Sequence, residues 1–176
     1  GKTAIPGFIE GHGHFTGVGL STLQLNLMDV ANWDEIIAMV ENAVAEAEPG
    51  QLIQGRGWHQ EKWDRTPEPN VDGLPFHQAL SAVSPDNPVV LRHASGHATY
   101  ANSKAMEMSG IDRDTEDPVG GEIVRDADHN PTGASRDTAP QPLTPPQSGS
   151  VPSTPRYVID LAQNREADLR GTSVKP

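Results

Sequence analysis

The chain has 176 residues, a formal charge of −11 and 35% hydrophobic residues beside 17 glycines and 16 prolines, which suits one domain, or one with a small appendage, with a modest core and much loop. The negative charge repels phosphate backbones and argues against nucleic-acid binding. No apolar run approaches the ~18–20 residues of a membrane span, no basic-plus-apolar leader is present, and the absence of cysteine excludes disulfides and thiolate metal ligands. A cytoplasmic location is favoured, although the abrupt start at Gly1 is also compatible with a removed leader.

Residues 3–10 read as a strand, followed at once by His12-Gly13-His14. In extended chain, side chains two apart leave from the same face, so these histidines would project side by side and could grip one cation. Gly11 and Gly13 leave the adjacent backbone open to close approach. The bland alternative is a pair of surface or structural histidines.

Leu20 to Val30 reads as a helical turn and an extended piece. A helix is expected from Trp33 to Ala47: Asn32 and Glu35 suit a capping box, apolar residues recur from Ile36 to Ala47 at helical spacing, and Pro49-Gly50 stops it. Gln51 to Gly55 follows as a strand, and Trp58 to Gly73 reads as irregular. Trp58 and Trp63 there would either anchor a loop on the core or line an apolar pocket.

A short helix is expected near Leu74 to Val83, then a buried strand from Pro88 to His93. In the next segment, Ser95-Gly96 implies a turn. His93 reads most simply as a hydrogen-bonded histidine at a polar strand end, whereas His97, in a Gly-His-Ala context, is a candidate substrate contact. Asn102 would cap a helix over Ser103 to Ser109, ended by Gly110. The acidic run from Asp112 to Asp117 reads as a solvated loop whose spacing fits no EF-hand.

Glu122 to Asp126 and Thr132 to Arg136 bracket a turn and read as a hairpin. Residues 139–155 carry six prolines and form a linker or extended loop. Residues 156–170 have helical character, and Gly171 to Val174 looks like the start of a strand. There is no Gly-x-Ser-x-Gly elbow, phosphate loop or dinucleotide fingerprint.

Taken in order, these pieces resemble the amidohydrolase superfamily, in the branch called amidohydrolase family 3, which holds imidazolonepropionase-like and N-substituted formamide deformylase-like hydrolases. The resemblance rests on Pro-Gly-Phe-Ile-Glu-Gly-His-Gly-His-Phe at 6–15, Gly-Trp-His-Gln-Glu-Lys-Trp at 57–63 and Ser-Pro-Asp-Asn-Pro-Val-Val-Leu-Arg at 84–92. It continues through Ser-Gly-His-Ala at 95–98, Ala-Asn-Ser-Lys-Ala at 101–105, Gly-Gly-Glu-Ile-Val-Arg-Asp-Ala-Asp at 120–128 and Asn-Pro-Thr-Gly at 130–133.

The resemblance implies a metal-bearing (β/α)8 barrel with a large insertion after its first strand. It implies hydrolysis of a small-molecule amide or related C–N bond, with water activated by a divalent metal, zinc being the fitting ion. His12 and His14 match the family's first-strand metal ligands, and His97 and Trp58 fall in motifs near the substrate. The remaining ligands and the catalytic aspartate of such enzymes come from later strands, and a whole barrel needs ~200 residues or more. Departures occur at Ala134-Ser135-Arg136-Asp137, where the family runs on with apolar residues, and at Lys175-Pro176.

The expected architecture is therefore mixed α/β, a partial TIM-barrel hydrolase rather than a complete barrel. Residues 1–24 would hold the first barrel strand, 25–138 the α/β insertion, 139–155 the linker, and 156–176 a helix and the start of the next strand. Alone, such a chain is expected to be inactive. The competing reading is a non-catalytic binding or self-assembling module, a strand-exchanged homo-oligomer formed through exposed barrel edges.

Overall fold

Strand β1 (Leu25–Asn26) leads into helix α1 (Trp33–Glu46), and the chain returns as β2 (Ile53–Trp58). Asn32 caps α1 by accepting the Glu35 backbone N–H at 3.0 Å, and Glu35 reaches back to the Ala31 N–H at 2.7 Å, one residue before the cap N–H that a capping box would bond. Trp33, Ile36 and Val40 form the buried stripe of the helix. The computed structural model describes Gly19 and residues 21–137, of which Leu23 to Asp137 belong to one compact unit. The strand expected at 3–10, His12, His14, the proline-rich stretch and the C-terminal helix and strand lie outside the described residues.

After β2 come a 3-10 turn (Gln60–Lys62) and a small hairpin of β3 (Asn70–Val71) and β4 (Leu74–Pro75). Helix α2 (Gln78–Val83) precedes β5 (Val89–His93), β6 (Ala98–Ala101), α3 (Ser103–Met108), β7 (Gly121–Arg125) and β8 (Pro131–Asp137). The main sheet has six strands in the order β1-β2-β5-β6-β8-β7. Its first three are parallel, and β6, β8 and β7 continue by antiparallel pairing. The fold is mixed α/β, as expected, and its main sheet is open.

Three local expectations are corrected. The helix foreseen from Leu74 begins only at Gln78, because the residue before a proline is pushed out of the helical region and Leu74-Pro75 pairs as a strand instead. The region after Trp58 is not wholly irregular: β2 runs on to Trp58, and Asp72-Gly73, both at positive φ, turn the small hairpin. Strand β6 was not foreseen at all; Ala98–Ala101 is short and pairs on both sides, with β5 and with β8.

One face of the sheet packs Ile53, Leu91, Tyr100 and Ala134 against Ile36, Val40 and Leu80. The other face buries a smaller cluster of Val90, Ala101, Ala105, Met106, Ile111 and Ile123. Between them lies Asn102, wholly buried. Its Oδ1 accepts from the backbone N–H groups of Val89 (3.0 Å) and Ala105 (2.9 Å). Its Nδ2 donates to the Ser84 carbonyl (3.0 Å), the Ser84 hydroxyl (2.8 Å) and the Asn87 carbonyl (2.8 Å). One side chain thus joins the end of α2, the start of β5 and the cap of α3.

Replacing Asn102 with alanine strips partners from several buried groups and removes a helix cap, so urea unfolding should show a loss of about 3 kcal/mol. A loss under about 1 kcal/mol would mean that water takes over these bonds.

Candidate functional site

The carboxyl ends of β2, β5 and β8, which run in one direction, meet at a single edge of the sheet, the edge where open α/β sheets bind ligands. Trp58 and His59 arrive from β2, His93 and Ser95 from β5, and Arg136 and Asp137 from β8, while His97 comes from the turn into β6. All of these except His59, together with Gln60, Asp72 and Leu74, surround an open cleft of about 240 Å³.

A backbone irregularity aims Trp58. Arg56 pairs with Arg92 and Trp58 with His93, leaving Gly57 as an extra residue between them. That bulge breaks the alternation of the strand and turns the indole to the same face as Leu91. Gly57 holds φ +111°, and a Cβ there would stand 2.5 Å from Met28 Cγ and 3.0 Å from the Met28 nitrogen. The Trp58 ring is 1% exposed, and its N–H donates to the Leu91 carbonyl at 3.0 Å. It meets His93 edge-on at 4.6 Å and Tyr100 at 5.2 Å, so it is a wall of the cleft anchored in the core.

His93 is buried behind Ser95, whose backbone N–H (3.1 Å) and hydroxyl (2.7 Å) both meet its Nδ1. Burial first, then the neighbouring His59 and His97, holds its imidazole below the ordinary histidine pKa. His77, on the other side of β8, is lowered mainly by burial as well. His97 occupies the exposed rim, its Nδ1 3.9 Å from the Asp137 carboxylate, a pairing of little energetic weight at that exposure. Arg136 is already committed, to Asp72 at 3.0 Å and Glu122 at 3.1 Å.

Of the four site residues expected from sequence, Trp58 and His97 therefore line one cleft, and His12 and His14 lie outside the described residues. Sequence reasoning passed over Gln60, Asp72 and Arg136. The signal for Arg136 was present: a charge inside a run of small strand residues, where an apolar side chain was expected. Among the described residues no three His, Asp or Glu side chains are grouped to hold a metal ion. Asp112 instead caps its own turn through Thr115, and Asp117 binds Arg125 at 2.7 Å. A larger groove of about 580 Å³ runs between Trp33, Arg65, Pro67 and Phe76, but Asp34 neutralises its arginine and none of the buried unpartnered polar atoms lines it.

Residues 1–175 match the model of the amidohydrolase family. The chain belongs to that family. Over 145 residues it is 39% identical to the protein LONG AFTER FAR-RED 3 of Arabidopsis thaliana, a match covering 82% of this chain and 24% of that one. Over 141 residues it is 33% identical to an N-substituted formamide deformylase of Arthrobacter pascens, covering 79% and 25%. The amidohydrolase chain thus spans about a quarter of the length of these relatives. Its fold is like that of an uncharacterized metal-dependent hydrolase from Pyrococcus furiosus, with a TM-score of 0.55 and 22% identity over 93% of this chain and 30% of the other.

Two outcomes follow. Gly57→Ala forces a side chain into a positive-φ position against Met28 and should cost about 2 kcal/mol in denaturant unfolding while loosening the Trp58 wall. Between about pH 6.5 and the lower folded-state values of His93 and His77, the unfolded chain binds protons that the folded chain does not. Stability should therefore fall as pH drops through that window and level off beneath it. An NMR titration placing the His93 midpoint at or above 6.5 would contradict this.

Proposed function

We propose that this chain supplies the first metal-binding strand and the substrate-covering insertion of a metal-dependent amidohydrolase that hydrolyses an amide or another C–N bond. The observation that carries this reading is the family match across residues 1–175, which takes in His12-Gly13-His14. The deformylase relative supports an amide-type small molecule as substrate. In this reading residues 1–24 belong to a (β/α)8 barrel, 25–138 form the insertion, 139–155 link it back, and 156–176 begin the return to the barrel.

His12 and His14 would hold the divalent cation, and neutral imidazole suits zinc. When bound, the cation supplies the Lewis acidity that activates water and polarises a carbonyl. The chain's own residues have simpler tasks. Trp58 and Leu74 keep water from the wall of the cleft, and His97 meets the substrate from the rim. Two imidazoles are fewer than the three or four protein ligands a zinc site uses, and no described cluster completes the set. The 176-residue polypeptide by itself is therefore expected to turn over N-formyl and N-acyl amines no faster than buffer with zinc.

Metal analysis after zinc loading, with parallel hydrolysis assays, tests both halves. Weak zinc uptake lost in His12→Ala and His14→Ala, without turnover, supports the reading. Zinc uptake unchanged by both substitutions would remove the metal assignment. Turnover abolished by His12→Ala would show that the chain needs no further ligands.

A further inference from the structure

The cleft at the strand ends contains one donor and one acceptor that have no partner. The donor follows from the bonds of His93. Its Nδ1 takes the Ser95 backbone N–H at 3.1 Å, so Nδ1 is an acceptor and the neutral ring carries its proton on Nε2. The Ser95 hydroxyl, 2.7 Å from the same nitrogen, adds its proton there and accepts the His97 N–H at 3.2 Å. Nε2 is buried and unpartnered, in a residue only 8% exposed. The acceptor is Gln60 Oε1, likewise buried and unpartnered, and both side chains line the same cleft. Leaving either atom unpaired costs free energy, so the site favours a guest that completes both.

Chemistry narrows the guest. A carboxylate only accepts, and it would meet Asp72 and Asp137, while Arg136 is already shared between Asp72 and Glu122. An ammonium only donates and cannot use His93. A neutral amide carries a carbonyl oxygen and an N–H on adjacent atoms. We propose that the cleft binds one small amide group, with its carbonyl oxygen on His93 Nε2–H and its N–H on Gln60 Oε1. Both atoms are buried in the unliganded cleft, and Gln60 is partly exposed at the start of its 3-10 turn, so binding in this way requires the Gln60 side chain to turn aside. Trp58 and Leu74 offer an apolar wall for an alkyl substituent. The inference rests on the amidohydrolase reading for the guest being the substrate; the recognition itself involves no metal.

The test is an NMR titration of the metal-free chain with N-methylacetamide, methyl acetate and acetate, following the Trp58 indole and Ser95 amide resonances. The amide should saturate these shifts, and methyl acetate, which lacks the N–H, should bind about fivefold more weakly, as the loss of one hydrogen bond implies. Acetate should not bind. Gln60→Leu should erase the preference for amide over ester, and His93→Phe should weaken both ligands. Equal affinity for amide and ester in the unsubstituted protein, a preference that survives Gln60→Leu, or shifts that never saturate would each overturn the proposal. If His93→Phe does not fold, Gln60→Leu decides it. Metal content and turnover, which judge the hydrolase reading, are measured apart from this titration, so each can fail without the other.

Discussion

The buried amide of Asn102 is the constraint on which this sheet depends. Two parallel strands, β2 and β5, cannot be joined by a tight turn, so their register must be held by something besides the connection. Asn102 anchors the amino end of β5, where it fixes Val89, Asn87 and Ser84 in one network while starting α3, and Asn87 in turn donates to the Glu48 and Gln51 carbonyls that lead into β2. With that end held, β5 delivers His93 at its other end beside Trp58. The amide is costly to bury and has little slack, because each of its polar atoms has partners that water cannot replace in place.

At the opposite edge the logic reverses. There, polar groups are left with incomplete partners, in an otherwise well-bonded structure. Strand β5 ends in a histidine whose tautomer is set by its own turn, and β8 ends in an arginine held by two carboxylates. The contrast between a saturated amino end and an unsaturated carboxyl end marks the site more clearly than cavity size, since the larger groove beside Trp33 has none of these loose ends.

Much of the fold was legible in the residues because the signals were local. Asn32 with Glu35, the Ile36–Val40–Val44 stripe and Pro49-Gly50 describe α1 within one residue at its end. Asn102 and Gly110 likewise bracket α3, and the turn at Asp128 to Pro131 announces the β7–β8 hairpin. The misses were non-local. Ala98–Ala101 is a strand because β5 and β8 lie on either side of it, and no feature of those four residues demands it. Among the site residues, Trp58 and His97 could be singled out from their motifs and Arg136 by its charge among small strand residues, but Gln60 and Asp72 could not, since they join the others only when the chain is folded.

By itself, then, the sequence determined the family, the capped helices, the turns and the histidine pair at 12 and 14, all of which depend on residues close together in the chain. The tertiary structure decided which polar groups share the cleft, which of them are already paired, and that Trp58 is a wall whose N–H is spent on Leu91. The physical reason is the range of the interactions. Capping and periodicity act over three or four residues, whereas the state of His93 is set by burial and by rings and hydroxyls gathered from β2, β5 and the turn into β6.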